Sequence, residues 1–267
     1  MRMRRPLLLL SLTLALSCVG TTGGDLVTFS AYASGPRDAD PSRPFEFDTG
    51  RGWHVTLTRA SLHVGAVYLN RSTPSSGAQA TSCVLPGIYV AQVTSGFDVD
   101  ALSPKPQRFP TVAEGTSDRA SSGEVWLTGG DVNALDDPTP ILDVAGTASR
   151  DGKTLSFDGL LTIGKNRALP PLDKTQPGSN PICKQRIASP IPSDVTPRAG
   201  GALFVEIDPR GWFTNVDFAA LPVASDDPTL HRFTDSSDSS VDAPSRNLFM
   251  ALHASVGVYS FRWGSAP

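Results

Sequence analysis

Ile141-Leu142-Asp143-Val144-Ala145-Gly146-Thr147-Ala148-Ser149-Arg150-Asp151-Gly152-Lys153-Thr154-Leu155-Ser156-Phe157-Asp158-Gly159-Leu160-Leu161-Thr162-Ile163 is the stretch whose reading decides the fold class. Asp151-Gly152 separates two strand-like runs, and Asp-Gly accepts the positive φ angles of a two-residue hairpin turn. Outward from this unit the same grammar repeats. Residues 53–60 alternate apolar and polar side chains, the period of a half-buried strand. Residues 62–69 continue in that style, with a bend or bulge expected near 59–61. Strands are also expected over 26–33, 83–93, 124–128, 202–208, 216–218 and 258–263. Between them, residues 34–44, 70–82, 98–120, 164–199 and 224–245 are rich in Pro, Gly, Ser and Asp and read as loops.

Charged residues support the same class. The chain has only four glutamates and five lysines, while Asp and Arg supply the rest. Glu and Lys are good helix-surface residues, whereas Asp, Ser, Gly and Pro favour turns. One short helix is expected over 246–254, capped by Ser245. The reading is an all-β, sandwich-like antiparallel domain over residues 26–267, with long loops and at most one or two short helices.

The N-terminus carries a different signal. Met1-Arg2-Met3-Arg4-Arg5 precedes an apolar run over 7–16, and Ser17-Cys18 follows. A basic start, a short apolar core and a small residue at a cleavage point make a secretory leader. The apolar core is about ten residues, too short to span a ~30 Å hydrocarbon layer as a helix. Ala15-Leu16-Ser17-Cys18 resembles the lipobox of bacterial lipoproteins. That resemblance implies a leader of residues 1–17 removed by the lipoprotein signal peptidase, palmitate-type acylation of Cys18, and a flexible tether over 18–25. It implies a cell-envelope protein held to the membrane by its lipid, and Val19 in place of Asp favours the outer membrane of a Gram-negative cell. An ordinary secretory leader and an uncleaved anchor are the alternatives.

Loss of Arg2, Arg4 and Arg5 takes the 23 basic side chains to 20 against 26 acidic ones, a charge of −6. Such a chain is not built for nucleic acid, nor for electrostatic adhesion to anionic lipid. With Cys18 acylated, Cys83 and Cys183 remain, and two cysteines in an exported protein are expected to form a disulfide. Two buried free thiols are the alternative.

Candidate residues for chemistry are sparse. His54, His63, His231 and His253 are candidate ligands for copper or zinc, although their spacing is loose. Residues 53–69, with 204–208 and 216–218, resemble exported copper-binding proteins of the methanobactin-associated MbnP type. That resemblance covers about a third of the chain and implies a β-rich protein that binds copper through histidine and a modified tryptophan. No complete metal motif aligns, so it assigns no ligand here. Asp226, Asp227, Asp235, Asp238 and Asp242 form an acidic stretch without the ordered spacing of a calcium loop. No G-x-S-x-G elbow occurs, and Glu46, Glu124 and Glu206 carry no glycosidase motif. Trp53, Trp126, Trp212 and Trp263 are either packing residues or an exposed platform for sugar or protein. The expected function is non-enzymatic: a lipid-anchored binding or structural protein with no required cofactor. A histidine metal site and an unrecognised enzyme are the alternatives.

Overall fold

Period-two alternation of buried and more exposed residues runs through the long segments 26–34, 54–64, 140–150 and 153–162, as a sandwich of half-buried strands requires. The structure is a computed structural model that describes residues 23–73, 87–128, 137–163, 186–235 and 242–267. Its strands in chain order are β1 (Leu26–Ser34), β2 (Phe45–Asp48), β3 (His54–Val64), β4 (Ala66–Asn70) and β5 (Tyr89–Val93). Then come β6 (Phe97–Asp100), β7 (Gln107–Arg108), β8 (Ala113–Thr116), β9 (Ala120–Trp126) and β10 (Pro140–Arg150). The last five are β11 (Lys153–Thr162), β12 (Ile187–Val195), β13 (Gly201–Ile207), β14 (Leu230–Phe233) and β15 (Tyr259–Ser265). Helical structure among the described residues is limited to α1 (Ala243–Ala251) and the 3-10 turns Pro209–Phe213 and Phe218–Ala220. No helix among them is long and apolar enough to cross a membrane.

Two sheets form, and the fold is an all-β sandwich. The nine-stranded sheet runs β12-β9-β4-β5-β8-β1-β13-β15, with β7 beside β1. Its two ends curl towards each other, and the Phe261 ring of β15 lies over Gly123 of β9. A Cβ at Gly123 would sit 2.4 Å from that ring, so only glycine allows the approach. The six-stranded sheet runs β14-β11-β10-β3-β2, with β6 taking the far half of the β3 edge. One hydrophobic cluster fills the space between them, joining residues such as Val67, Val125 and Val205 to Leu57, Leu62 and Val144.

The Asp151-Gly152 hairpin forms as expected. Arg150 pairs with Lys153, and φ is 53° at Asp151 and 73° at Gly152, the two positive values of a type I′ turn. The bend near 59–61 is a bulge: Gly146 pairs with Leu57 and Ala145 with Arg59, leaving Thr58 as the extra residue. Strand β3 therefore runs unbroken to Val64, and the interruption falls at Gly65.

Several local expectations are corrected. Residues 98–120 are not an excursion without strands; they include part of β6 and all of β7 and β8, which prolines 104, 106 and 110 keep short. Strand β12 lies within the expected loop over 164–199. Its Pro190 and Pro192 are tolerated because it pairs only with β9, with register irregularities on either side. Strand β14 lies within the expected loop over 224–245, and β9 starts four residues before the expected strand over 124–128. Residues 216–218 are not a strand, because Asp217 caps the turn Phe218–Ala220 by accepting from the Ala219 N–H. Helix α1 starts earlier than expected: Asp242 is the cap and accepts from the Ser245 N–H, with Pro244 in the first turn.

The hairpin supplies a test of the fold. Gly152→Val places a β-branched side chain at positive φ and should lower stability to urea by about 1–2 kcal/mol. The neighbouring exposed Lys153→Ala should change it by less than about 0.5 kcal/mol. Equal stability of the two variants would refute the type I′ turn.

Candidate functional site

The residues singled out from sequence do not converge. Cys18, Cys83 and Cys183 lie outside the described residues, so the lipidation and disulfide expectations fall there too. His54 and His63 sit on one strand, nine residues apart, which at ~3.3 Å per residue is about 30 Å. Each has a carboxylate of its own on the adjoining strand: Asp48 at 2.9 Å from His54 Nδ1, and Asp98 at 2.7 Å from His63 Nδ1. His231 Nδ1 lies 2.7 Å from the Leu221 carbonyl, and His253 Nδ1 lies 2.9 Å from the Phe249 carbonyl. Among the described residues no three His, Cys, Asp or Glu side chains gather as a metal site. The acidic stretch is likewise divided, and its Asp238 lies outside the described residues. Asp226 pairs with Arg232, Asp227 closes its own turn on Thr229, Asp235 bonds Thr162, and Asp242 caps α1.

Three tryptophans are packing residues. Trp212 is fully buried, Trp263 meets Phe29 edge-on at 4.9 Å, and Trp53 packs against Phe218 at 5.6 Å. The Trp53 Nε1–H donates to Asp217, and the Arg150 guanidinium lies 4.3 Å over its ring. Trp126 has a different setting.

Trp126 belongs to a polar and aromatic group on the outer face of the nine-stranded sheet. Strand pairing sets five side chains in one row: Glu124 opposite Tyr68, Tyr68 opposite Gln92, Gln92 opposite Glu114, and Glu114 opposite Thr28. Parity turns all five away from the core, since their neighbours Val67, Val125, Ala91, Ala113 and Val27 are buried within it. Glu124 is nevertheless fully buried. Tyr68 stands between two rings, 5.1 Å from Tyr89 and 5.2 Å from Trp126. The carboxyl accepts from Asn70 Nδ2 at 3.0 Å and from Trp126 Nε1 at 2.9 Å, and the Tyr89 hydroxyl faces it.

These partners are neutral, and that decides the electrostatics. Burial pushes the Glu124 carboxyl above the usual carboxylate range, and the hydrogen bonds from Trp126, Asn70 and Tyr89 only partly oppose it. Burial and the nearby carboxylate in turn push the Tyr89 hydroxyl up to about 12. A buried carboxyl whose described partners are all neutral is costly, and such groups gather at functional sites.

Beyond Tyr89 the row opens into a surface cleft of about 630 Å³. Leu26 and Thr28 of β1, Tyr89 and Gln92 of β5, and Glu114 and Thr116 of β8 line it. Leu26 is 89 % exposed and Tyr89 46 %, so the cleft has an apolar wall and an aromatic one. Between them Gln92 Nε2 donates to Glu114 Oε1 at 2.8 Å. Glu114 and Glu124 stand three strands apart, about 14 Å at ~4.8 Å per strand. Nothing in the sequence motifs marked this site; its signal is the pairing of period-two positions across five strands.

Glu124 generates a pH prediction. Its folded carboxyl keeps its proton to higher pH than the unfolded chain does, so its contribution to stability declines as pH rises through that interval. Asp38, held low by Arg210, and Asp226, held low by Arg232, act in the opposite sense and in more acidic solution. The melting temperature of the native protein minus that of Glu124→Gln should therefore fall as pH is raised from about 4.5 towards 7. Thermal melts of both proteins across that range provide the check, and a flat difference would contradict a buried carboxyl.

No family model, no curated protein and no solved structure matches the chain.

Proposed function

We propose that this chain is a lipid-anchored cell-envelope protein of non-enzymatic binding type, and that the cleft of the nine-stranded sheet is its ligand site. The observation that carries the reading is the outward row Glu124-Tyr68-Gln92-Glu114-Thr28, which leads from a buried carboxyl into an open cleft. The volume falls within the range of small-ligand sites, about 300–1,000 Å³. Attachment rests on the leader: Ala15-Leu16-Ser17-Cys18 for the lipid, and an acidic body that brings no electrostatic membrane affinity.

Two measurements test the two halves. Cys18→Ala should release the protein from the membrane fraction or leave it as unprocessed precursor; normal processing with full membrane retention would refute lipidation. Purified protein should bind a delipidated envelope fraction saturably, and Tyr89→Ala should weaken that binding at least tenfold. Val256→Ala, exposed and outside the cleft lining, should leave it unchanged. Absence of saturable binding, or equal binding by Tyr89→Ala, would refute the cleft as the ligand site.

A further inference from the structure

The cleft lining narrows the ligand class, an inference that rests on the binding role just proposed. Charge is the first filter. Among the described residues that line the cleft, Leu26, Val27, Thr28, Tyr89, Val90 and Ala91 are neutral, as are Gln92, Gly115, Thr116 and Ala199. The remaining lining residue, Glu114, is acidic, and no Lys, Arg or His is present to meet an anion. Among the described lining residues, phosphate, carboxylate and sulfate groups therefore meet no counter-charge, and nucleic acid meets none either.

Hydrogen-bond direction is the second filter. Gln92 spends one amide hydrogen on Glu114 Oε1. That bond fixes the two side chains together and leaves Gln92 Oε1 and Glu114 Oε2 as acceptors towards the cleft. Thr28 stands opposite Glu114 on the next strand and adds a hydroxyl that both donates and accepts. Thr116, by contrast, is engaged by Asp118 at 2.8 Å. The lining thus asks for a ligand rich in donors that can also accept.

Shape is the third filter. Tyr89 and Leu26 offer apolar surface on strands either side of β8, with the polar pair between them. The Tyr89 ring is braced by Tyr68 at 5.1 Å, and its hydroxyl faces Glu124, so it loses little freedom when a ligand packs on it. A ligand must then present a flat apolar face and a rim of hydroxyl groups. A cationic peptide would satisfy Glu114 but would leave the Gln92 amide oxygen and the Thr28 hydroxyl poorly used.

We infer that the cleft binds neutral carbohydrate, with a sugar ring packed on Tyr89 and its hydroxyl groups held by Gln92, Glu114 and Thr28. The test is calorimetric titration of the full-length protein in detergent with uncharged tetrasaccharides, namely cellotetraose, maltotetraose and chitotetraose, and with tetralysine. At least one tetrasaccharide should bind, with tenfold or greater weakening in Tyr89→Ala and in Gln92→Ala, and no change in Val256→Ala. Tyr89→Phe keeps the ring and should retain affinity within threefold, which separates ring packing from loss of fold. Binding of tetralysine alone, abolished by Glu114→Gln, would overturn the carbohydrate assignment while preserving the cleft as a binding site. Binding of none of the four probes would overturn the carbohydrate assignment, and the envelope-fraction assay then decides the binding role separately.

Discussion

An aromatic cluster ties the two sheets into one body. Phe157 of β11 meets Phe213, Phe218 and Phe233 at ring-centroid distances of 5.8, 4.9 and 5.7 Å, and Phe213 stacks on Phe218 at 5.9 Å. Phe213 and Phe218 belong to the 3-10 turns that follow β13, a strand of the nine-stranded sheet, whereas Phe157 and Phe233 belong to the six-stranded one. Each aromatic side chain buries about 150–250 Å², so this contact outweighs any single ion pair on the surface. It also explains why residues 208–221 form turns. Asp208 and Asp217 accept from backbone N–H groups at 3.0 and 3.2 Å, bending the chain so that both phenylalanines point inward.

Much of this architecture was legible in the sequence, and the parts that were not share a cause. The β10–β11 hairpin, β3 and β15 declare themselves because apolar and polar residues alternate along them and turn chemistry marks their ends, whereas β13 declares itself as a short apolar run before Pro209. Strands β2, β6, β7 and β8 are four residues or fewer, shorter than the window in which period two can be told from chance. Strand β12 was hidden by Pro190 and Pro192, whose tolerance depends on an edge position that only the sheet order reveals. The helix starts three residues before the expected one because Asp is as good a cap as Ser, and Pro244 fits the first turn of a helix capped at Asp242.

The candidate site was less legible still. Glu124 was one carboxylate among four glutamates, and its neighbours Tyr68, Gln92, Glu114 and Thr28 are spread over nearly a hundred residues. Strand pairing, not spacing, places them in a row. Histidines drew attention in the sequence because imidazole is a versatile ligand, yet all four take local partners. The six-stranded sheet uses its outer face differently from the larger one. Arg59 pairs with Asp143 at 2.8 Å, and Arg232 bridges Asp158 and Asp226 at 2.8 and 2.7 Å. Those ion pairs are mostly exposed and contribute little to stability individually, but they keep that face hydrated and free of an aromatic platform.

Placement along the chain connects the cleft with the proposed anchor. Leu26 and Thr28 line the cleft and lie at the start of β1, so the site is built on the first ordered strand of the described structure. Cys18 is eight residues before Leu26. A fully extended chain covers at most ~3.3–3.6 Å per residue, so a lipid on Cys18 would hold this end of β1 within about 26–29 Å of the acylated cysteine. A cleft anchored in that way would work close to the membrane surface. On the proposed anchoring, a tether of that length would limit the reach of the cleft to what lies near the membrane, and an uncharged ligand would be recognised without long-range electrostatic steering.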